Sequence, residues 1–181
     1  MALYSERIPA LDIIQSKIYT RETLTRCLSA WKFQEKKIVF TNGCFDIIHR
    51  GHIDYLAKAS DLGKKLIIGV NSDASVKRLG KSISRPLQDE QTRAMILASL
   101  HFVNAVIIFD EDTPLEIITL IKPDVLAKGA DYDASETNKQ SKKYIVGSDI
   151  VTANNGVVRT IAFLEGFSTT KIEKKIKGNQ Q

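Results

Sequence analysis

The chain has 181 residues, of which 43% are hydrophobic and 26% charged, and its formal net charge is +5. These values indicate one globular domain that is large enough to build a core without disulfides or structural metals. No apolar run is long enough to cross a membrane, and the N-terminus lacks the layout of a signal peptide.

The two cysteines form no CxxC pair, which indicates a reducing compartment, so we expect a cytoplasmic protein without a membrane partner. The positive charge suits an anionic substrate and equally a weak attraction to nucleic acid. Because aromatic residues do not interleave with the lysines, we expect no specific nucleic-acid partner.

The first 35 residues carry apolar side chains at helical spacing, with Ile14 and Ile18 followed by Leu24 and Leu28. They predict one or two amphipathic helices, the second capped by Thr20 or by Thr23. We expect residues 1–35 to be an extension that packs on the domain or supplies a homodimer contact. Residues 36–181 then form the main domain.

From residue 37 onward, strands and helices alternate. We predict strands at 37–42, 65–71, 104–109, 124–128 and 157–163, and helices at 51–62, from 72 or 73, at 90–100, after Thr113-Pro114, at 148–154 and at 168–177. Residues 80–89 are predicted to form a polar loop, and residues 131–143 a polar loop or a short helix. Thr113 with Glu116, and Thr170 with Glu173, have the spacing of capping boxes. The continuous apolar strands predict an α/β fold with a doubly wound, Rossmann-like parallel sheet, which binds ligands at the carboxyl ends of its strands.

One stretch combines a strand, a turn and two histidines. The apolar strand leads to Asn42-Gly43, and His49-x-Gly51-His52 follows where a helical pattern begins. A helix N-terminus offers free backbone N–H groups and a partial positive charge, and histidines three apart share one face of its first turn. This stretch therefore predicts a phosphate or nucleotide site.

The pattern Gly43-x-Phe45-Asp46-x-x-His49-x-Gly51-His52 resembles the signature of the nucleotidyltransferase superfamily that includes cytidylyltransferases and class I tRNA synthetases. Later stretches resemble the heptose 1-phosphate adenylyltransferases more narrowly, namely 70–79, 85–87, 109–116, 122–126, 128–132 and 166–170. The resemblance covers residues 36–177. It implies an HxGH nucleotidyltransferase fold and the transfer of AMP from ATP to D-glycero-β-D-manno-heptose 1-phosphate, which gives ADP-heptose for lipopolysaccharide.

We predict that His49, His52 and Lys128 are catalytic, the histidines by donating hydrogen bonds to phosphate or by carrying positive charge in the transition state. Ser168 and Thr169 match the family's C-terminal phosphate-binding motif. An arginine that precedes this motif in related cytidylyltransferases is replaced here by Leu164-Glu165. The predicted nucleotide- and phosphate-binding residues are Asn42, Gly43, Cys44, Phe45, Asp46, Gly51, Asn71, Asp73, Arg93, Gly129, Asp131, Ser168, Thr169 and Thr170.

Magnesium is expected to arrive on the triphosphate of ATP, without direct protein ligands. A heptose kinase is expected on a separate chain. The alternatives are a glycerol-3-phosphate cytidylyltransferase, another sugar- or alcohol-phosphate nucleotidyltransferase, and a non-catalytic nucleotide- or RNA-binding module. The spacing of the residues does not distinguish adenine from cytosine.

Overall fold

In a computed structural model, which describes residues 8–80 and 85–178, eight helices and six strands alternate. The strands are β1 (Ile18–Tyr19), β2 (Ile38–Gly43), β3 (Lys65–Asn71), β4 (Ala105–Phe109), β5 (Val125–Gly129) and β6 (Val157–Ile161). The helices are α1 (Ala10–Gln15), α2 (Arg21–Phe33), α3 (Arg50–Ser60), α4 (Asp73–Arg78), α5 (Glu90–Ser99), α6 (Leu115–Ile121), α7 (Ser148–Ala153) and α8 (Thr169–Gly178).

All six strands are parallel and lie in the order β1-β4-β3-β2-β5-β6. The sheet is central because two hydrophobic layers cover its faces. On one face, Leu56 of α3 and Leu97 of α5 are buried in a shared core, and on the other Leu24 of α2 packs with Ile118 of α6. Runs such as Ile67-Ile68 supply a buried side chain to each layer, as expected for strands covered on both faces. The predicted doubly wound α/β fold is confirmed.

The N-terminal segment joins the sheet, which the sequence analysis did not predict. Between the two N-terminal helices, Ile18 and Tyr19 pair in parallel with Val106 and Ile107 at the edge of β4. Helix α2 begins after Thr20, the first of the two predicted caps, whose hydroxyl accepts the Thr23 amide hydrogen at 3.2 Å in a capping box. The division of the chain at residue 35 stays a prediction, and so does a homodimer contact there.

Two other predicted capping boxes are wrong. Helix α6 has Pro114 as its N-cap, whose side chain has no hydrogen-bonding atom, and Glu116 lies 3.4 Å from Arg21. In α8, the cap lies earlier than predicted, where the Ser168 hydroxyl accepts the Lys171 amide hydrogen at 3.2 Å. The segment 131–143 contains neither helix nor strand, in line with the predicted polar loop. Part of the other predicted loop, residues 81–84, lies outside the described residues.

Candidate active site

The histidine pair lies at the start of α3, after the turn that follows the carboxyl end of β2. His49 is the N-cap of this helix, and its Nδ1 accepts the backbone hydrogen of His52 at 3.3 Å. The two imidazoles stack with their centroids 3.9 Å apart and an interplanar angle of 14°. Because Nδ1 of His49 acts as an acceptor, its hydrogen resides on Nε2 in the neutral ring. The helix cap therefore fixes the tautomer of His49.

Both histidines are neutral near pH 7. Burial lowers the pKa of His49. Burial also lowers the pKa of His52 to about 4, and repulsion from His49 adds to this effect. The His52 Nδ1 atom is buried without a hydrogen-bond partner among the described residues. The pair can donate or accept hydrogen bonds without an initial positive charge.

The ring of Phe45 packs against the imidazole of His52. The contact is edge-on, with centroids 5.4 Å apart, and only 7% of Phe45 is exposed. Its φ is 51°, in the left-handed region that a bulky L-residue rarely adopts. Such strain persists where the surroundings fix it, which is common at functional sites. The turn after β2 is thus held in an unfavourable conformation that places the Phe45 ring against the imidazole of His52.

Residue 51 is a glycine because the C-terminal part of the chain packs closely against this position. A Cβ at this position would lie 3.1 Å from the Phe167 Cβ and 3.2 Å from the His49 ring. Glycine therefore lets the segment before α8 pack directly on the N-terminus of α3. As a result, Ser168 and Thr169 line one small cavity together with His49, Gly51 and His52.

A second, larger cavity of about 450 Å³ adjoins this one, and both are lined by His52 and Phe163. It lies at the carboxyl ends of β2, β3 and β5, as predicted for this fold. The predicted site residues that line it are Asn42, Gly43, Cys44, Phe45, His52, Asn71, Lys128, Gly129 and Asp131. The structure thus brings most of the predicted site residues around two cavities that meet at His52.

Lys128 is the main charge of the larger cavity. Its residue is 8% exposed, its ammonium donates a hydrogen bond to Oδ1 of Asn42, and it lies 5.7 Å from the centre of the Tyr132 ring. Burial lowers the pKa of Lys128 to about 8, while the nearby Asp131 carboxylate acts in the opposite direction. A partly desolvated cation in a crevice attracts an anion strongly, because the protein has already stripped much of its water.

Four predicted site residues do not line either cavity. Arg93 is completely buried and donates to the Cys44 carbonyl at 2.7 Å, to Asp73 Oδ1 at 2.6 Å and to the Gln88 carbonyl at 2.9 Å. Its guanidinium therefore braces the turn after β2 through its Nε, Nη1 and Nη2 atoms, and the phosphate contact of Arg93 stays a prediction. The same ion pair engages Asp73.

The other two are Asp46 and Thr170. Asp46 is 3% exposed, and its Oδ1 accepts the backbone hydrogens of Leu87 and Gln88 at 2.8 and 3.0 Å. It holds the loop before α5. Thr170 lies one residue inside α8 and is exposed.

Aromatic residues of the larger cavity, including Tyr55 and Tyr144, were not predicted from the sequence. The Tyr55 hydroxyl is 2.7 Å from the Thr41 hydroxyl, and burial raises the pKa of Tyr55 to about 12. Tyr55 follows His52 by three residues on α3, so helical spacing could have identified it. Tyr144 lies in an irregular segment, where no periodicity indicates which way a side chain faces.

Comparison with known proteins identifies the family. The cytidylyltransferase-like family model matches residues 40–175, three quarters of the chain. The chain belongs to this family. The predicted membership of the nucleotidyltransferase superfamily is thereby confirmed.

Individual relatives agree with this assignment. The bifunctional protein HldE of Campylobacter jejuni is 55% identical over 163 residues, which cover 90% of this chain and 32% of that protein. HldE of Wolinella succinogenes is 47% identical over 165 residues, with coverage of 91% and 32%. The chain thus spans about a third of the length of these curated relatives.

Two solved structures are similar to the fold. The lipopolysaccharide core biosynthesis protein from Thermoplasma volcanium has a TM-score of 0.54 and 26% identity, covering 71% of this chain and 97% of that one. The pantoate-beta-alanine ligase from Francisella tularensis has a TM-score of 0.58 and 15% identity, covering 88% and 76%, and this likeness concerns the fold alone.

Proposed function

We propose that this chain transfers AMP from ATP to D-glycero-β-D-manno-heptose 1-phosphate, releasing pyrophosphate and forming ADP-heptose for lipopolysaccharide. The observation that carries the proposal is the pair of cavities that meet at His52, one with the N-termini of two helices and the other with Lys128. The likeness to HldE over 90% of the chain supports the heptose substrate. The likeness to the lipopolysaccharide core biosynthesis protein of Thermoplasma volcanium supports the role in lipopolysaccharide synthesis.

In the proposed reaction, an oxygen of the sugar phosphate attacks the α-phosphorus of ATP. A new phosphorus–oxygen bond forms, the bond from the α-phosphorus to the bridging oxygen breaks, and pyrophosphate leaves with that electron pair. This chemistry requires alignment and charge neutralisation more than covalent help. His49 and His52 donate hydrogen bonds to phosphate oxygens, and the ammonium of Lys128 stabilises the negative charge that develops. The N-terminus of α8, at Ser168 and Thr169, binds phosphate through backbone N–H groups.

Magnesium belongs to the proposal as a companion of ATP. Among residues 8–80 and 85–178, no group of three or more His, Cys, Asp and Glu side chains is placed to hold a metal ion. The carboxylates of Asp112 and Asp131 line the larger cavity, and magnesium commonly takes one or two carboxylates together with phosphate oxygens and water. These oxygen donors fit an ion that enters with the nucleotide, and bound magnesium would neutralise charge on the leaving pyrophosphate.

The cellular setting is also part of the proposal. The described residues contain no helix of the length and apolarity that a membrane span requires. We place the reaction in the cytoplasm, where ATP is supplied. A separate heptose kinase and a homodimer stay predictions.

The test is pyrophosphate release in the presence of magnesium, with ATP and CTP each crossed against heptose 1-phosphate and glycerol 3-phosphate. Release only with ATP and heptose 1-phosphate is the expected result. Release only with CTP and glycerol 3-phosphate would keep the reaction type and overturn the substrate. No release with any combination would favour the non-catalytic nucleotide- or RNA-binding module.

Substitutions test the roles of the histidines. His49→Ala and His52→Ala should each lower kcat by about 10²–10⁴-fold, the range for lost transition-state hydrogen bonds and acid–base groups. His101→Ala is the matched control, because His101 is exposed and contacts Phe102 away from both cavities. Unchanged turnover in either test variant would refute the mechanism.

A further inference from the structure

The loop that precedes α5 connects two parts of the site that are far apart in sequence. Its residues Leu87 and Gln88 donate their backbone hydrogens to Oδ1 of Asp46, in the turn between β2 and α3. The Gln88 carbonyl accepts from Arg93, whose guanidinium also donates to the Cys44 carbonyl. The loop is therefore fixed to the turn that carries His49.

The same loop reaches α8 through Arg85. The Nε and Nη2 atoms of Arg85 both lie 2.8 Å from Oε1 of Glu173. The two side chains are only 14% and 17% exposed. An ion pair that is shielded from water and uses two donors of a planar guanidinium is directional, so it fixes orientation as well as distance. Arg85 thus joins the loop to the first half of α8.

Among its described side chains, helix α8 has few other anchors. Every described side chain of this helix is at least partly exposed, including Ile172 and Ile176, so the helix is not inserted into the hydrophobic core. Just before it, Arg50 stacks over the Phe167 ring at 5.6 Å. A helix that buries so little apolar surface depends on specific polar contacts for its position.

We propose that Arg85 and Glu173 are positioning residues, which hold the N-terminus of α8 opposite the histidine pair. This inference rests on the proposed function, in which Ser168 and Thr169 bind the phosphates of the nucleotide. Neither Arg85 nor Glu173 lines the two cavities, so the pair acts through the placement of α8. The contact completes a chain of bonds from the turn after β2, through the loop, to the second phosphate-binding helix.

The experiment compares Arg85→Gln, Glu173→Gln and the exchanged double variant R85E/E173R with the wild type. Arg26→Gln is the matched control, since it breaks an exposed ion pair with Glu22 on α2, and neither residue lines the cavities. For each variant, ATP binding is measured by calorimetry with magnesium. Pyrophosphate release gives KM for ATP and kcat, and denaturant unfolding gives stability.

Each single variant should weaken ATP binding and raise KM for ATP about tenfold, the usual size of coupling between a binding site and a residue that positions it. The exchanged double variant should recover most of this loss, and the control should match the wild type. A purely structural role would instead move the unfolding midpoint and leave ATP affinity unchanged in the folded protein. Wild-type affinity in both single variants, or no recovery in the double variant, would overturn the inference.

The two proposals fail in different ways. A wild type that binds ATP but releases no pyrophosphate would refute the proposed reaction, while the affinities of the variants would still test the positioning pair. A wild type that turns over with ATP, together with Arg85→Gln at the same KM, would refute the pair alone. A wild type that binds no ATP would refute both.

Discussion

Replacing Lys128 by methionine should stabilise the fold while it abolishes the activity. The ammonium is buried, and the pKa of Lys128 is lowered from 10.5 to about 8, so folding removes a charge from water at a cost. A shift of this size corresponds to roughly 3 kcal/mol at pH 7, at about 1.4 kcal/mol per pKa unit. Losing the hydrogen bond to Asn42 offsets about 1 kcal/mol. The net gain expected for Lys128→Met is about 2 kcal/mol.

The pH dependence of the free energy of unfolding shows whether the buried charge of Lys128 causes this difference in stability. The folded pKa is depressed, so the unfolded chain holds more protons on Lys128 between pH 8 and 10.5. The wild type should therefore gain stability as the pH rises through this window, and it loses that gain as the pH falls back through 8. The advantage of Lys128→Met should shrink in parallel, reach zero at about pH 9.5, and become a deficit of about 1 kcal/mol once Lys128 is neutral in both states.

The assay is urea unfolding of wild type and Lys128→Met at about pH 7 and about pH 9.5, on either side of the folded pKa, followed by pyrophosphate release at neutral pH. Lys58→Met is the control, since Lys58 is half exposed and pairs with Asp54 on the surface of α3. It should change stability by less than about 0.5 kcal/mol. If Lys128→Met is less stable than the wild type by the same amount at both pH values, burial of the charge is not what shifts the pKa.

Three further predictions concern neighbouring residues. Because burial lowers the pKa of His52 to about 4, the free energy of unfolding should fall as the pH is lowered from 6.5 to 4. The expected loss is on the order of 2 kcal/mol after allowance for partial exposure. His52→Gln should remove this loss from an acid titration of stability. Gly51→Ala should raise KM for ATP at least about fivefold, since its Cβ would lie 3.1 Å from Phe167 and push the α8 segment away; an unchanged KM would contradict this packing. Arg93→Met should lower the free energy of unfolding in urea by about 3–5 kcal/mol, because the Asp73 carboxylate and the Cys44 carbonyl lose a buried partner. A loss below about 1 kcal/mol would show that these contacts of Arg93 are dispensable for stability.

Most of the sheet could be predicted because its strands are continuous apolar runs, and a strand buried on both faces needs apolar side chains at nearly every position. The two residues of β1 carry no such signal, since pairing with β4 decides their conformation and not their own pattern. The failed capping boxes at Thr113 and Thr170 have a similar cause. A helix can begin one or two residues away from the motif, and each glutamate is then paired with a distant arginine, Glu116 with Arg21 and Glu173 with Arg85.

For the site, the convergence of strand ends could be predicted from topology, while the assignment of individual charges could not. Arg93 lies on a helix beside a polar loop, and the same local pattern fits a surface arginine, a phosphate ligand or a buried brace. Only the fold shows that its donors face the Cys44 carbonyl and Asp73. The low pKa of His52 likewise depends on Phe45 and His49 in three dimensions.

The short strand β1 has a consequence for how the chain can be shortened. The family match begins at residue 40, which invites removal of everything before it. Such a truncation would uncover the outer edge of β4, whose sequence Ala-Val-Ile-Ile-Phe is strongly apolar and whose backbone would then offer unpaired groups along its length. Open apolar edges recruit strands from other molecules and lead to aggregation. The two residues of β1 and the helices on either side of them therefore act as edge protection for the sheet.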